Sequence, residues 1–224
     1  MYKAIFFDVD DTLLNFKSSS KSALTKAFET QELLLTDAIF ETFCEVDQAL
    51  WAKQKQRLIS VQEVIDTRFG QFFERLNIHH SAKEMNDSYM QNLYKEYSLE
   101  PQALEVVQYL NPKYPLYVAS NGYLAMQQSR LKLAGLIQSF ADLYVSDDIG
   151  FEKPDNRFFE EAMHRSKLKS EEILFVGDSL EADITGAATS NIATCWYNPG
   201  NKQNKLPVQP DYTIQHLSQL TEIV

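Results

Sequence analysis

Cysteine is scarce: the chain has two, Cys44 and Cys195, far apart and in different contexts. That excludes a disulfide framework, and both residues read as buried thiols without a redox or nucleophilic role. No apolar stretch approaches the roughly 18 residues of a membrane span, and the first residues have neither the basic segment nor the apolar run of a secretory signal. The expectation is a cytoplasmic protein with no membrane partner. Positive charge is also in deficit, with 21 Lys and Arg against 31 Asp and Glu and a formal net charge of -10. Such a balance argues against a nucleic acid polymer or an anionic membrane as partner. An anionic substrate would need positive charge supplied locally, at its own site. There is no internal repeat and no low-complexity tract; only "YNPGNKQNKLPVQPD" (197–211) reads as a long loop, from its Pro, Gly and Asn content.

What is present is an alternation of two kinds of segment. Short apolar runs rich in β-branched and aromatic residues occur at Lys3–Asp8, Pro115–Ser120, Asp142–Ser146, Ile173–Gly177 and Ile192–Tyr197, with a weaker one at Tyr212–Ile214. Runs of this kind fit strands covered on both faces, hence a parallel sheet. Helical patterns separate them at Pro101–Leu110, Ala125–Leu133, Arg157–Ser166 and Leu180–Thr189. The alternation predicts an α/β fold, a Rossmann-like doubly wound parallel sheet. About a hundred residues separate the first strand from the second, and 15–97 holds several amphipathic helical patterns but no strand-like run. The expected organisation is a catalytic core from 1–14 and 98–224, interrupted by an inserted α-helical domain over 15–97. Within the insert, Phe28, Phe40, Phe43, Phe69, Phe72 and Phe73 recur at helical spacing and read as its core, and His79 and His80 as a solvated turn.

In open α/β sheets, ligands bind beyond the carboxyl ends of the strands. At those ends stand Asp8, Asp10 and Asp11 after the first strand, "SNG" (120–122) after the second, "SDD" (146–148) after the third and "GDS" (177–179) after the fourth. Each motif alone reads as a turn or a helix cap. Their coincidence at one sheet edge marks a site.

In this order "FFDVDDT" (6–12), "SNG" (120–122), Lys153 within "GFEKPD" (150–155) and "GDSLEAD" (177–183) resemble the four motifs of the haloacid-dehalogenase superfamily of aspartate-nucleophile phosphohydrolases. The resemblance spans the whole chain. It implies a Rossmann-like core, a helical cap inserted after the first motif, and Mg²⁺-dependent phosphoryl transfer on a small-molecule phosphate monoester. Asp8 is then the nucleophile, and Asp10 the acid and base that serves the leaving group and the water. Asp8, the Asp10 backbone carbonyl and Asp178 are the implied metal ligands, with Asp183 orienting a water. Ser120, the amides of Asn121 and Gly122, and Lys153 are the implied phosphate-binding groups. Asp11 stands where the wider superfamily commonly has glycine and receives no chemical role. A dehalogenase of this fold attacks carbon and has no use for Asp10 or a metal, so those acids weigh against it. A silent scaffold would have no reason to keep every charged reagent. The wording "FFDVDDTLLNF", "SNGY" and "DIGFEKPDNRFFEEA" is similar to that of house-cleaning pyrimidine 5'-nucleotidases, which implies a nucleoside monophosphate as substrate; phosphoglycolate and sugar phosphates are the rivals. Phe16, Trp51 and Tyr123 are candidates to wall a base. Arg57, Arg68 and Arg75 read as solvated or ion-paired.

Overall fold

The computed structural model describes residues 2–224. The chain divides into two compact units, one made of the segment ending at Phe16 together with Tyr97–Val224, the other of Lys17–Glu96. In the first unit six strands form one sheet: β1 Ala4–Phe7, β2 Leu116–Ser120, β3 Phe140–Val145, β4 Ile173–Gly177, β5 Ala193–Tyr197 and β6 Tyr212–Ile214. Every pairing is parallel and the order is β3-β2-β1-β4-β5-β6, so β1 lies inside the sheet with β2 on one side and β4 on the other. All four residues of β1 are buried because both faces are covered. Ile5 and Phe7 pack into one apolar layer with Leu116, Val118, Leu174 and Val176, while Ala4 and Phe6 join Ala119, Phe158, Phe159 and Phe175 in the other. A two-faced core leaves no polar position inside the strand, so the chain's carboxylates first appear where β1 ends. The strand order reverses at β1, which makes the crevice beyond its carboxyl end the expected ligand site of a doubly wound sheet.

The second unit is helical: α1 Phe16–Thr30, whose first residue belongs to the first unit, α2 Asp37–Lys55, α3 Val61–Leu76 and α4 Ala82–Leu93. Its helix starts are set locally. Thr36 and Ser81 accept from backbone amides of α2 and α4, and Ser60 with Glu63 forms a reciprocal capping box on α3. All six of its phenylalanines named above are buried, several in edge-on ring contacts such as Phe43 with Phe72 at 5.3 Å. Arg68 is buried among them, paired with Asp47 at 3.1 Å and lying over the Tyr89 ring at 4.6 Å. Arg75 pairs with Glu45 near the surface, and Arg57 is exposed just past the end of α2. His79 and His80 are exposed in the connection from α3 to α4, and Trp51 is half-buried.

Back in the first unit follow α5 Ala103–Leu110, α6 Leu124–Leu133, α7 Ser146–Ile149, α8 Asn156–Ser166 and α9 Gly186–Thr189. Two expectations are corrected here. Leu180–Thr189 is not one α-helix: Leu180–Thr185 forms a wide π-type turn, with the Thr185 hydroxyl donating to the Leu180 carbonyl at 2.8 Å, before α9 begins. Such turns are frequent at functional sites. Cys44 is only partly buried, on the polar flank of α2, whereas Cys195 is fully buried in β5 and its thiol is pushed up to about 12 by burial. Among the described residues no helix is long and apolar enough to cross a membrane.

Candidate active site

Beyond the carboxyl ends of β1 and β4 three carboxylates converge. One oxygen from each of Asp8, Asp178 and Asp183 lies within 4.8 Å of the others. Asp8 leaves the end of β1 with its amide donating to the Val176 carbonyl at 2.9 Å, which extends the pairing with β4 by one residue. Asp178 follows Gly177 at the end of β4, and the Trp196 indole of β5 donates to its carbonyl at 2.9 Å. Asp183 comes from the π-type turn and is 1% exposed; the Ser179 amide donates to its Oδ2 at 3.0 Å. Gly177 is required for this approach, because a Cβ there would stand 2.3 Å from Asp183 Oδ2.

Lys153 enters the cluster as a cation. Its ammonium is 2% exposed and donates to Asp8 Oδ1 at 2.7 Å, Asp183 Oδ1 at 2.6 Å and the Ala119 carbonyl at 2.8 Å. An ammonium has three protons, and these contacts use all three. Burial alone would lower the Lys153 pKa, but Asp183 and Asp8 hold it above the ordinary lysine range. Burial pushes the Asp8 carboxyl up, Lys153 pulls it down, and Asp183 adds to the rise. Three carboxylates thus crowd around this ammonium, Asp8 and Asp183 buried and Asp178 half-buried. Hard oxygen donors in that condition fit a hard divalent cation.

Asn121 holds the lysine from behind. Its side chain donates to the Lys153 carbonyl at 2.9 Å and accepts from the Lys153 amide at 2.8 Å. The "SNG" turn is pinned in turn by "SDD": the Gly122 amide donates to Ser146 Oγ at 2.9 Å and the Leu124 amide to Asp147 at 2.8 Å. The Gly122 amide is therefore directed at Ser146. Gly122 has φ of 132°, a backbone open to glycine, and Ser120 is buried at the end of β2 with its hydroxyl 3.3 Å from Gln127 Nε2.

Asp10, close enough for its charge to raise the Asp8 carboxyl, is held by two donors. Arg130 donates to its Oδ1 at 2.6 Å and Gln127 to its Oδ2 at 2.9 Å, both from α6. Sequence reasoning missed these two partners. The signal was in the pattern of α6, where buried positions Met126, Gln127, Arg130 and Leu131 recur at helical spacing and two of the four are polar. Asp11 has φ of 60° and accepts from the Phe16 amide at 2.9 Å, so it caps the first turn of α1 from a left-handed backbone that glycine adopts freely. Phe16 lies 6.0 Å from the Arg130 guanidinium, and Tyr123 is half-buried just before α6.

Residues 2–191 match the family model of haloacid dehalogenase-like hydrolases, and the chain belongs to that family. It is 32% identical to the HAD-hydrolase YfnB of Bacillus subtilis over 224 residues, covering 100% of this chain and 95% of that one. The crystal structure of YfnB, described as bound to magnesium and as revealing interdomain movement, superposes with a TM-score of 0.94 over 99% of this chain and 98% of that one. The pyrimidine 5'-nucleotidase PynA of Streptococcus pneumoniae is 31% identical, with 99% of this chain and 94% of that one covered. The pyrimidine 5'-nucleotidase YjjG of Escherichia coli is 27% identical, with 98% and 96% covered.

Proposed function

We propose that the protein hydrolyses phosphate monoesters through a covalent phosphoryl group on Asp8, that Mg²⁺ is its metal, and that its substrates are pyrimidine nucleoside monophosphates. The observation that carries the reaction is the cluster of buried Asp8 and Asp183 with half-buried Asp178, and Lys153 bonded into it. Lys153 holds Asp8 Oδ1, which leaves Oδ2 as the attacking atom. Asp8 Oδ2 forms a bond to phosphorus while the bond to the leaving oxygen breaks, and Asp10 gives that oxygen a proton. Water then attacks the same phosphorus, Asp10 takes a proton back, the bond to Asp8 breaks and inorganic phosphate leaves. Asp8, Asp178 and the Asp10 carbonyl would hold the cation, which supplies the charge that lets a carboxylate approach a phosphate dianion. Ser120 and the Asn121 amide are the phosphate-binding groups, and Lys153 adds positive charge from its fixed place beside Asp8. Asp183, bonded to Lys153 and Ser179, positions both.

Asp178→Ala should raise the Mg²⁺ concentration for half-maximal rate by about tenfold or more, because one of few protein ligands is lost. A metal titration of wild type and variant checks this. Identical half-saturation in the two would place the ion elsewhere.

The substrate class draws support from PynA and YjjG, named for pyrimidine 5'-nucleotidase activity. Leaving-group selection falls to the helical unit Lys17–Glu96 and acts as a cap does, since that unit carries none of the acidic cluster. A stacked base adds roughly 1 to 3 kcal/mol, so UMP and dTMP should exceed ribose 5-phosphate in kcat/KM by about tenfold or more, with purine monophosphates below them. Purified enzyme at fixed Mg²⁺ and pH is assayed against these compounds and phosphoglycolate. If a sugar phosphate or phosphoglycolate leads by that margin, the nucleotidase assignment fails and the phosphatase reaction stands.

A further inference from the structure

We infer that Arg130 and Gln127 are positioning residues that hold the Asp10 carboxylate in the one orientation from which it can exchange a proton with the leaving group. The inference rests on the proposed role of Asp10 and deepens it. Asp10 stands in the turn after β1, where a short side chain is free to rotate. Both of its oxygens are nonetheless fixed, Oδ1 by Arg130 at 2.6 Å and Oδ2 by Gln127 at 2.9 Å. A carboxylate offers about four lone-pair sites, so a donor on each oxygen still leaves room for a substrate oxygen or a water.

The clamp is itself built to have one arrangement. Arg130 Nη1 also donates to Gln127 Oε1 at 3.2 Å, which sets the amide so that its NH₂ end faces Asp10 Oδ2 and Ser120 Oγ. Arg130 is fully buried and Gln127 is 2% exposed. A buried guanidinium is costly unless it is paired, and Asp10 is the carboxylate it meets. Phe16 lies over the guanidinium at 6.0 Å from its central carbon. Two polar side chains on the apolar face of α6 thus meet on one acid that is itself 28% exposed at its side chain, the arrangement expected where an open reagent is held by a closed support.

The test uses leaving groups of different basicity. For an aryl ester such as p-nitrophenyl phosphate the departing phenolate needs no proton, whereas the alkoxide of an alkyl phosphate does. kcat/KM reports only the first phosphoryl transfer, so it isolates the acid step. Gln127→Met removes the donor without adding charge, and Arg130→Lys keeps the charge without the fork. Each should lower kcat/KM for an alkyl phosphate by roughly 10-fold or more while leaving that for p-nitrophenyl phosphate within about 2-fold. In an Asp10→Asn background neither should cost anything further, because residues acting through one group are not additive. Equal losses on both esters, or none on either, overturn the clamp. Arg130→Lys is buried and can weaken the fold, but Gln127→Met carries the same comparison, with thermal melting run alongside. If Asp10→Asn shows the ester difference and the clamp variants do not, only this inference fails. If Asp10→Asn shows no ester difference, the role of Asp10 fails and takes the clamp with it.

Discussion

Asp8→Asn should lose turnover by roughly 10⁴-fold or more while the protein stays folded, since removal of a covalent nucleophile costs that much in other hydrolases. An amide has nearly the shape of the carboxylate and is a poor nucleophile. Stability should hold or rise slightly. Asp8 is 7% exposed and shares one ammonium with Asp183 while Asp178 stands close by, so replacing a charged group with a neutral one relieves repulsion in a buried place. Lys153 keeps its bonds to Asp183 and Ala119 and is not left unpaired. Activity with a nucleoside monophosphate and thermal melting, after mass spectrometry has excluded deamidation, decide the matter. More than a few per cent of wild-type rate in the variant would remove Asp8 from the role of nucleophile.

Much of the fold is legible in the sequence because its strands are covered on both faces. A segment such as Ala4–Phe7 can be apolar throughout only where no side meets water, and that pattern is visible without coordinates. The ends of those strands are equally visible, since Asp8, Ser120, Ser146 and Asp178 each follow directly on an apolar run. What linear pattern does not carry is lateral order. That β1 pairs with both β2 and β4, more than a hundred residues downstream, comes from long-range pairing. Nor does it carry the π-type turn at Leu180–Thr185, which brings Asp183 back to Lys153 where an uninterrupted helix is expected.

In the site, the difference between pattern and geometry is clearest at Lys153 and Asn121. The tripeptide "KPD" has the composition of an exposed loop, yet the lysine is 2% exposed. Its backbone is fixed by two hydrogen bonds with the side chain of Asn121, thirty-two residues earlier. Spacing can mark both residues as belonging to one site, but the contact between a side chain beyond the end of β2 and the backbone of the loop between α7 and α8 is a property of the folded chain. Gln127 and Arg130 escape for a related reason. On a helical wheel they occupy apolar positions, and a polar residue there becomes informative only once its partner, Asp10, is known to stand opposite.

Asp10→Asn tests whether that partner is a reagent or a ligand. Its carboxylate is bonded by Arg130 and Gln127 and is not one of the three grouped at Asp8, Asp178 and Asp183. If the metal takes only the Asp10 backbone carbonyl, the substitution leaves every metal donor in place. The Mg²⁺ concentration for half-maximal rate should then stay within about 2-fold of wild type, well short of the effect of losing a ligand. Turnover should nevertheless fall by roughly 10²- to 10⁴-fold, because an amide neither gives the leaving oxygen its proton nor takes one from water. The asparagine amide presents an NH₂ to one of its two donors, Arg130 or Gln127, but with no proton to carry that disturbance adds nothing to the loss, and the double variant with Gln127→Met should match Asp10→Asn alone. The comparison is a metal titration of kcat in Asp10→Asn and Asp178→Ala side by side. A rise in Mg²⁺ half-saturation in Asp10→Asn equal to that in Asp178→Ala would make the Asp10 carboxylate a metal ligand and end its assignment as the proton carrier.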